Sequence, residues 1–251
     1  MSNLTVLRGY AQHARPERLP PSLLFEYTDK CLTVFDAFPK SIFHFLVLPR
    51  IRPPLNAGEL ANLRTLLKGD KARAKQVLLD LSDEADKIKK LIREEMLNRY
   101  GFQWEIWTGF HASPSMEHLH LHILSNDLCS TRMKHKKHYN SFHPKLGFFL
   151  HLHDVLSWFD EAPSYFERMT RLKKSDYEHL LKEDLCCWKC ERDMKNMPLL
   201  KAHLQQEWDE DARKERAKLA RKRKRDDAKS VTPDMSDIKA PEPKRPSPTV
   251  V

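Results

Sequence analysis

Three histidines at alternate positions, His118-Leu-His120-Leu-His122-Ile-Leu124, are the sharpest chemical feature of this 251-residue sequence. Successive side chains of a β-strand point to opposite faces, so the spacing predicts three imidazoles on one face and Leu119, Leu121 and Ile123 in the core. A neutral imidazole is a competent nucleophile toward phosphorus near pH 7, and flanking histidines can orient it, donate hydrogen bonds and balance charge. Histidines at i and i+2 of a strand also suit zinc, given a further ligand from elsewhere. The other such pair, His151-Leu-His153, lacks these surroundings and reads as a strand end running into a helix.

A second constellation lies near the C-terminal side: Cys187-Trp-Lys-Cys190, twelve residues, then His203-Leu-Gln-Gln-Glu207. Two thiolates on a tight turn and two ligands four apart on a helix meet at one tetrahedral centre, the geometry of a zinc finger. Glu207 stands where a second histidine is usual, and a carboxylate oxygen is an acceptable zinc ligand. Met197, Leu199, Leu200 and Leu204 would supply a small apolar core that the metal completes. Cys186 is adjacent, but only Cys187 gives the two-residue gap.

Elements able to position these groups follow from hydrophobic periodicity. Leu4, Val6, Leu7 and Tyr10 suggest a short first helix, stopped by Pro16, Pro20 and Pro21. Strands are expected at Cys31-Leu-Thr-Val-Phe35, Phe43-His-Phe-Leu-Val-Leu48, Phe102 to Phe110, His118 to Leu124 and Phe148-Phe-Leu150. Residues 56–100 carry apolar side chains at helical spacing, and a further helix is expected near Asp154. Strands, a helical middle and strands again predict an α+β domain with an antiparallel sheet. The expected division is a catalytic domain with its N-terminal helix over 1–160, a helical connector over 161–184, the zinc finger over 185–210, and a basic, largely disordered tail over 211–251.

Charge and composition narrow the class. The net charge of +9 favours a polyanionic partner. Arg132, Lys134, Lys136, Lys137 and Lys145 fall in one stretch without an acid, and residues 211–229 hold ten basic and four acidic side chains. Both stretches can lie along phosphates. Lys222-Arg-Lys-Arg225 also suits a nuclear localisation signal. No apolar run is long enough to span a bilayer, and the N-terminus has no secretory h-region. The five cysteines are therefore expected as thiols or metal ligands in a reducing compartment, the nucleus by this reading.

The histidine run resembles the histidine-triad superfamily of nucleotidyl hydrolases and transferases. That resemblance implies the histidine-triad fold and makes His120 the nucleophile toward a nucleotide α-phosphate, flanked by His118 and His122. Phe35-Asp36-Ala-Phe-Pro39-Lys40, followed by His44 to Pro49, is similar to the superfamily's nucleotide-holding segment. It places Asp36 on the ribose, Lys40 on the phosphate path, and Leu24 and Phe25 in the adenine pocket. Gly109-Phe-His111-Ala-Ser-Pro-Ser115-Met116-Glu-His118 resembles one branch, the aprataxins, as does Lys136-Lys137-His138-Tyr-Asn-Ser-Phe142. By that likeness His111 protonates the leaving group, Ser115 holds the α-phosphate, and Met116 belongs to the nucleotide-binding set. Lys134, Lys136, Lys137 and His138 then contact DNA.

The branch implies a DNA repair hydrolase that takes AMP off 5′-adenylated DNA ends through a covalent adenylyl-histidine, with one structural zinc and no redox cofactor. Fungal members are similar in carrying Glu at the fourth zinc-ligand position. Animal members also have a forkhead-associated domain ahead of the catalytic part, and none is expected here. Two other readings compete: a general hydrolase of dinucleoside polyphosphates or nucleoside phosphoramidates, and a DNA-end binding adaptor. The fused finger and basic loop disfavour the first. The full set of reactive side chains disfavours the second.

Overall fold

The computed structural model describes residues 4–230, with side chains through Arg225. Six antiparallel strands form one sheet: β1 Leu24–Tyr27, β2 Cys31–Phe35, β3 His44–Pro49, β4 Ile106–His111, β5 Leu121–Ser125 and β6 Phe149–His151, in the order β1-β2-β3-β5-β4-β6. The helices are α1 Val6–Ala11, α2 Leu63–Leu67, α3 Lys71–Tyr100, α4 Lys136–Asn140, α5 Leu152–Ser157, α6 Pro163–Met169 and α7 Met197–Ser230. The expected α+β class holds.

Local chemistry explains the main boundaries. Asn62 and Thr65 form a reciprocal capping box at the start of α2. Asp70 caps α3 by accepting from the Arg73 amide at 2.8 Å, and Gly101, at φ 73°, ends it in the left-handed conformation that glycine adopts freely. The helical middle is therefore two helices, broken at Gly69-Asp70. Along α3 the buried positions Ala74, Val77, Leu78, Leu81, Ala85, Ile88, Ile92 and Met96 recur at helical spacing and pack on one sheet face, against Phe45, Val47, Leu121 and Ile123.

The opposite face is divided, and this division makes the site. At one end α1 packs Leu7 and Ala11 on Leu32, Val34, Leu46 and Leu48. At the other, Trp107, Leu124 and Phe149 of the sheet join Tyr139, Leu185, Cys187, Leu200 and Leu204 in one core cluster. The histidines of β5 lie between the two. The finger thus shares its core with the sheet rather than standing as a separate bead. A Cβ on Gly109 would lie 2.5 Å from the Leu150 carbonyl and 2.8 Å from the Phe149 ring, so close strand packing beside the site requires glycine there.

Two sequence expectations change. Residues 161–184 are not one helix: α6 ends at Met169, Leu172 takes φ 36°, and two short 3-10 turns follow at Lys174–Asp176 and Glu178–Lys182. The tail is not disordered from residue 211, because α7 continues to Ser230. Its Lys, Arg, Ala and Glu residues are strong helix formers. It is also anchored: Trp208 packs among Tyr100, Phe102 and Trp104, and Arg216 donates to the Tyr100 carbonyl at 2.8 Å. The proline-rich stretch at 241–248 lies outside the described residues. No helix among the described residues is long and apolar enough to cross a membrane.

Candidate active site and zinc centre

β5 begins only at Leu121, so the expected strand from His118 is shortened and its three imidazoles do not share one face. His118 sits at φ 97° and is fully buried. Its amide donates to the Ala61 carbonyl and its Nε2 to the Pro49 carbonyl, both at 2.8 Å. Those bonds hold a backbone conformation that disfavours any side chain. Extended periodicity could not reveal this kink. Its consequence is chemical: the His118 carbonyl meets His120 Nδ1 at 2.7 Å. A carbonyl only accepts, so Nδ1 carries the proton and Nε2 keeps its lone pair. His118 sets the tautomer of His120 and does not line the main cavity.

A second chain of assignments reaches His122. The Lys40 amide donates to His44 Nδ1 at 3.1 Å, so the His44 proton is on Nε2, which faces His122 Nδ1 at 3.0 Å. His122 then carries its proton on Nε2, buried without a protein partner, and is ready to donate to a bound oxygen. His44 Nε2 also lies 3.6 Å from Asp36 Oδ2. His44 opens the second half of the segment likened to the nucleotide-holding motif, but the sequence assigned it no role of its own. It stands diagonal to His122 across the β3–β5 pairing, and that register is not readable from one sequence.

Burial keeps these rings neutral. It lowers the pKa of His120, pushes that of His44 down to about 4, and takes His111 and His122 well below the ordinary imidazole value. The cationic forms of neighbouring histidines and Lys40 reinforce the effect at His111 and His122. Burial also lowers the Lys40 ammonium, although Asp36 opposes this.

His120, His122 and His111 open onto a cavity of about 620 Å³. Asp36, Lys40, Ser115, Met116, Lys134, Lys137 and His138 line it too, so most of the expected site converges. The His111 ring is tilted against that of His122 with centroids 4.4 Å apart, and its Nε2 is buried without a partner. Asp36 accepts from the Phe38 amide at 2.7 Å.

Three expected residues lie elsewhere. Phe25 packs edge-on to Phe35 and Phe45, away from the cavity, because β1 alternates and only Leu24 turns toward the Leu46–Met116 side. Leu24 supports that wall without lining it. Lys136 pairs with Asp184 at 3.0 Å and the Lys182 carbonyl at 3.3 Å. The structure adds Arg132, from the basic stretch, and Lys174 and Glu178, which sequence reasoning passed over as linker charges.

At the finger, ligand atoms of Cys187, Cys190 and His203 lie within 4.8 Å of one another. Cys190 Sγ is 3.1 Å from His203 Nε2, and Glu207 Oε1 is 3.6 Å from that nitrogen. Two thiols and an imidazole in one cluster, with a carboxylate beside the imidazole, suit the donor set of a tetrahedral zinc. Lys189, 3.0 Å from the other Glu207 oxygen, balances their negative charge. Cys186 is turned away, its backbone paired with Asp193 and its thiol toward the Cys187 carbonyl. The module is moored by α4: Tyr139 donates its hydroxyl proton to the Cys186 carbonyl at 2.7 Å and accepts from the Trp188 amide at 2.8 Å. Asn140 donates to the carbonyls of Leu180, Leu181 and Glu183.

Sheet, histidine cluster and metal-ligand set together define a histidine-triad hydrolase joined to a zinc finger. Residues 5–138 match the family model for the scavenger mRNA decapping enzyme C-terminal binding domain, and residues 145–210 match that for the C2HE / C2H2 / C2HC zinc-binding finger. The chain is 30% identical to the aprataxin-like protein of Saccharomyces cerevisiae over 224 residues, which is 83% of this chain and 97% of that one. It is 32% identical to the aprataxin-like protein of Drosophila melanogaster over 185 residues, covering 73% of this chain but only 24% of the fly protein. A crystal structure of the aprataxin ortholog Hnt3 in complex with DNA superposes with a TM-score of 0.65 at 28% identity, covering 85% of this chain and 98% of that one. The chain belongs to the aprataxin family.

Proposed function

We propose that this protein is a DNA repair hydrolase that removes AMP from 5′-adenylated DNA ends. One observation carries the reading: His120 presents an unprotonated Nε2 to a cavity rimmed by cations and open enough for more than a nucleotide. His120 Nε2 attacks the AMP phosphorus, and the bond to the DNA 5′-phosphate breaks. His111 gives that departing phosphate a proton. Burial disfavours the protonated form of His111, and the incoming pyrophosphate supplies the negative charge that restores it. His122 Nε2–H and Lys40 stabilise charge on the phosphoryl oxygens. Water then attacks the phosphorus, breaks its bond to His120 and releases AMP. Asp36 takes the ribose hydroxyls, Ser115 holds the α-phosphate, and Met116 contacts the nucleotide.

The finger residues Cys187, Cys190, His203 and Glu207 hold one zinc as a structural centre, and the chain uses no redox cofactor. Arg132, Lys134, Lys137 and His138 receive DNA beyond the scissile bond. The DNA-bound Hnt3 structure supports this assignment by its similarity over nearly its whole length. The same cavity would also admit a dinucleoside polyphosphate, but the cationic rim favours a longer polyanion. The test is acid-quench trapping of labelled AMP on the protein after mixing with 5′-adenylated duplex. His120→Ala should abolish both adduct and turnover while the fold persists. An adduct that survives in His120→Ala but is lost in His118→Ala refutes the assignment.

The basic segment Lys222–Arg225 directs the protein to the nucleus in this reading. A reporter carrying residues 211–251 should accumulate there. Cytoplasmic retention would leave the segment a nucleic-acid tether.

A further inference from the structure

Lys174 and Glu178 belong to an arm that neither the histidine run nor the finger ligands account for. The arm is rooted at both ends. Leu172 is buried in the main core despite its positive φ, and Asn140 holds the carbonyls of Leu180, Leu181 and Glu183. Between these roots, two tight turns carry Lys174 and Glu178 to the wall of the catalytic cavity, where Leu181 also lies. Lys174 also borders a second hollow of about 330 Å³ behind the Ser113–Met116 loop, with Arg64 and Asn62. It therefore stands at the edge where the cavity continues outward.

Its partner is unusual in this setting. Lys174 Nζ lies 3.2 Å from Glu178 Oε1, with the two side chains 72% and 54% exposed. Such an exposed pair is held weakly and exchanges readily for a stronger acceptor. Apart from Asp36, which faces His44, Glu178 is the one acid on a wall otherwise bearing Lys40, Arg132, Lys134 and Lys137 among the described residues. A carboxylate there opposes phosphate and masks the nearest ammonium.

We propose that Lys174 and Glu178 form a substrate-selecting pair: a backbone phosphate of the DNA strand displaces Glu178 from Lys174, and Glu178 lowers the affinity for polyanions that cannot complete that exchange. This rests on the reading of the cavity as a DNA-end site. Lys174 is then a specificity residue for the strand rather than for AMP. Glu178 is a positioning residue that acts through it.

The experiment measures binding of the full chain to a 5′-phosphorylated nicked duplex across a salt series, by fluorescence anisotropy. Binding is read without turnover, so a failure of adenylate hydrolysis and a failure of this pair are distinguishable. Lys174→Met should weaken binding severalfold and reduce the slope of log K against log salt by about 0.9, the value for one lost phosphate contact. Lys173→Met, next door, exposed and outside the cavity wall, is the charge-matched control and should leave the slope unchanged. Glu178→Gln should tighten binding about threefold, and most of that gain should vanish when Lys174→Met is also present. Equal slopes for Lys174→Met and Lys173→Met overturn the proposal. So does a Glu178→Gln gain of the same size in both backgrounds, which would reduce Glu178 to a background charge.

Discussion

His118, His120 and His122 look equivalent in the sequence, yet they are set three different tasks. His118 takes a strained backbone and offers its carbonyl, His120 receives it and exposes Nε2, and His122 is oriented from the far side by His44. The alternation of the histidines was legible in the sequence. The kink before Leu121 and the neighbour across the strand were not, because both depend on pairing with distant segments. The lowered pKa of His120 fixes a pH dependence. A lowered pKa means that the ring stays neutral, and nucleophilic, below the ordinary value of about 6.5. The acid limb of kcat/KM on 5′-adenylated DNA should therefore lie below that value, and activity should rise from pH 7.5 to 6.5, where His120 stays neutral while the proton-bearing form of His111 gains population. An acid limb centred near 6.5 would show an imidazole in water-like surroundings and contradict the buried network. His44→Phe should keep the ring volume but leave the Lys40 amide unpaired and His122 unoriented. Its kcat should fall by at least about tenfold, toward the roughly 10²–10⁴-fold that a positioned proton-transfer group contributes.

At the scale of elements, α4 is where the sequence was least informative. Its Lys136-Lys137-His138 run suggested a uniform phosphate-binding loop. As a helix it splits by face: Lys137 and His138 border the cavity, whereas Lys136, Tyr139 and Asn140 hold the segment that leads into the finger. The finger's candidate ligands were legible because zinc spacing is local, and the docking was not, because Leu185, Leu200 and Leu204 meet the sheet only in three dimensions. Tyr139→Phe removes two buried hydrogen bonds and leaves the Cys186 carbonyl and Trp188 amide unpaired. Thermal unfolding should show a loss of about 1–3 kcal/mol. Glu207→Ala should weaken zinc retention against a chelator, whereas Cys186→Ser should not, and metal analysis should give about one equivalent. Full zinc retention in Glu207→Ala would remove that carboxylate from the ligand set.

For the whole molecule, one sheet serves two purposes: the face under α3 makes the core, and the other holds α1, the cavity and the finger side by side. The class of fold could be read from the order of strand and helix patterns, but the shared core between finger and sheet could not. Deleting residues 185–251 would expose Trp107, Leu124 and Tyr139, so such a truncation reports on folding before it reports on substrate choice. The intact chain must therefore be compared on two substrates. Binding energy from contacts beyond the scissile bond positions the reacting phosphate, and a substrate lacking those contacts loses rate as well as affinity. The most direct measurement is kcat/KM for the full-length protein on a 5′-adenylated nicked duplex and on a dinucleoside polyphosphate, side by side in the same buffer. The adenylated duplex should be preferred by at least about a hundredfold, with AMP and a 5′-phosphorylated end as products. Efficient hydrolysis of the polyphosphate with the adenylated duplex left intact would contradict it.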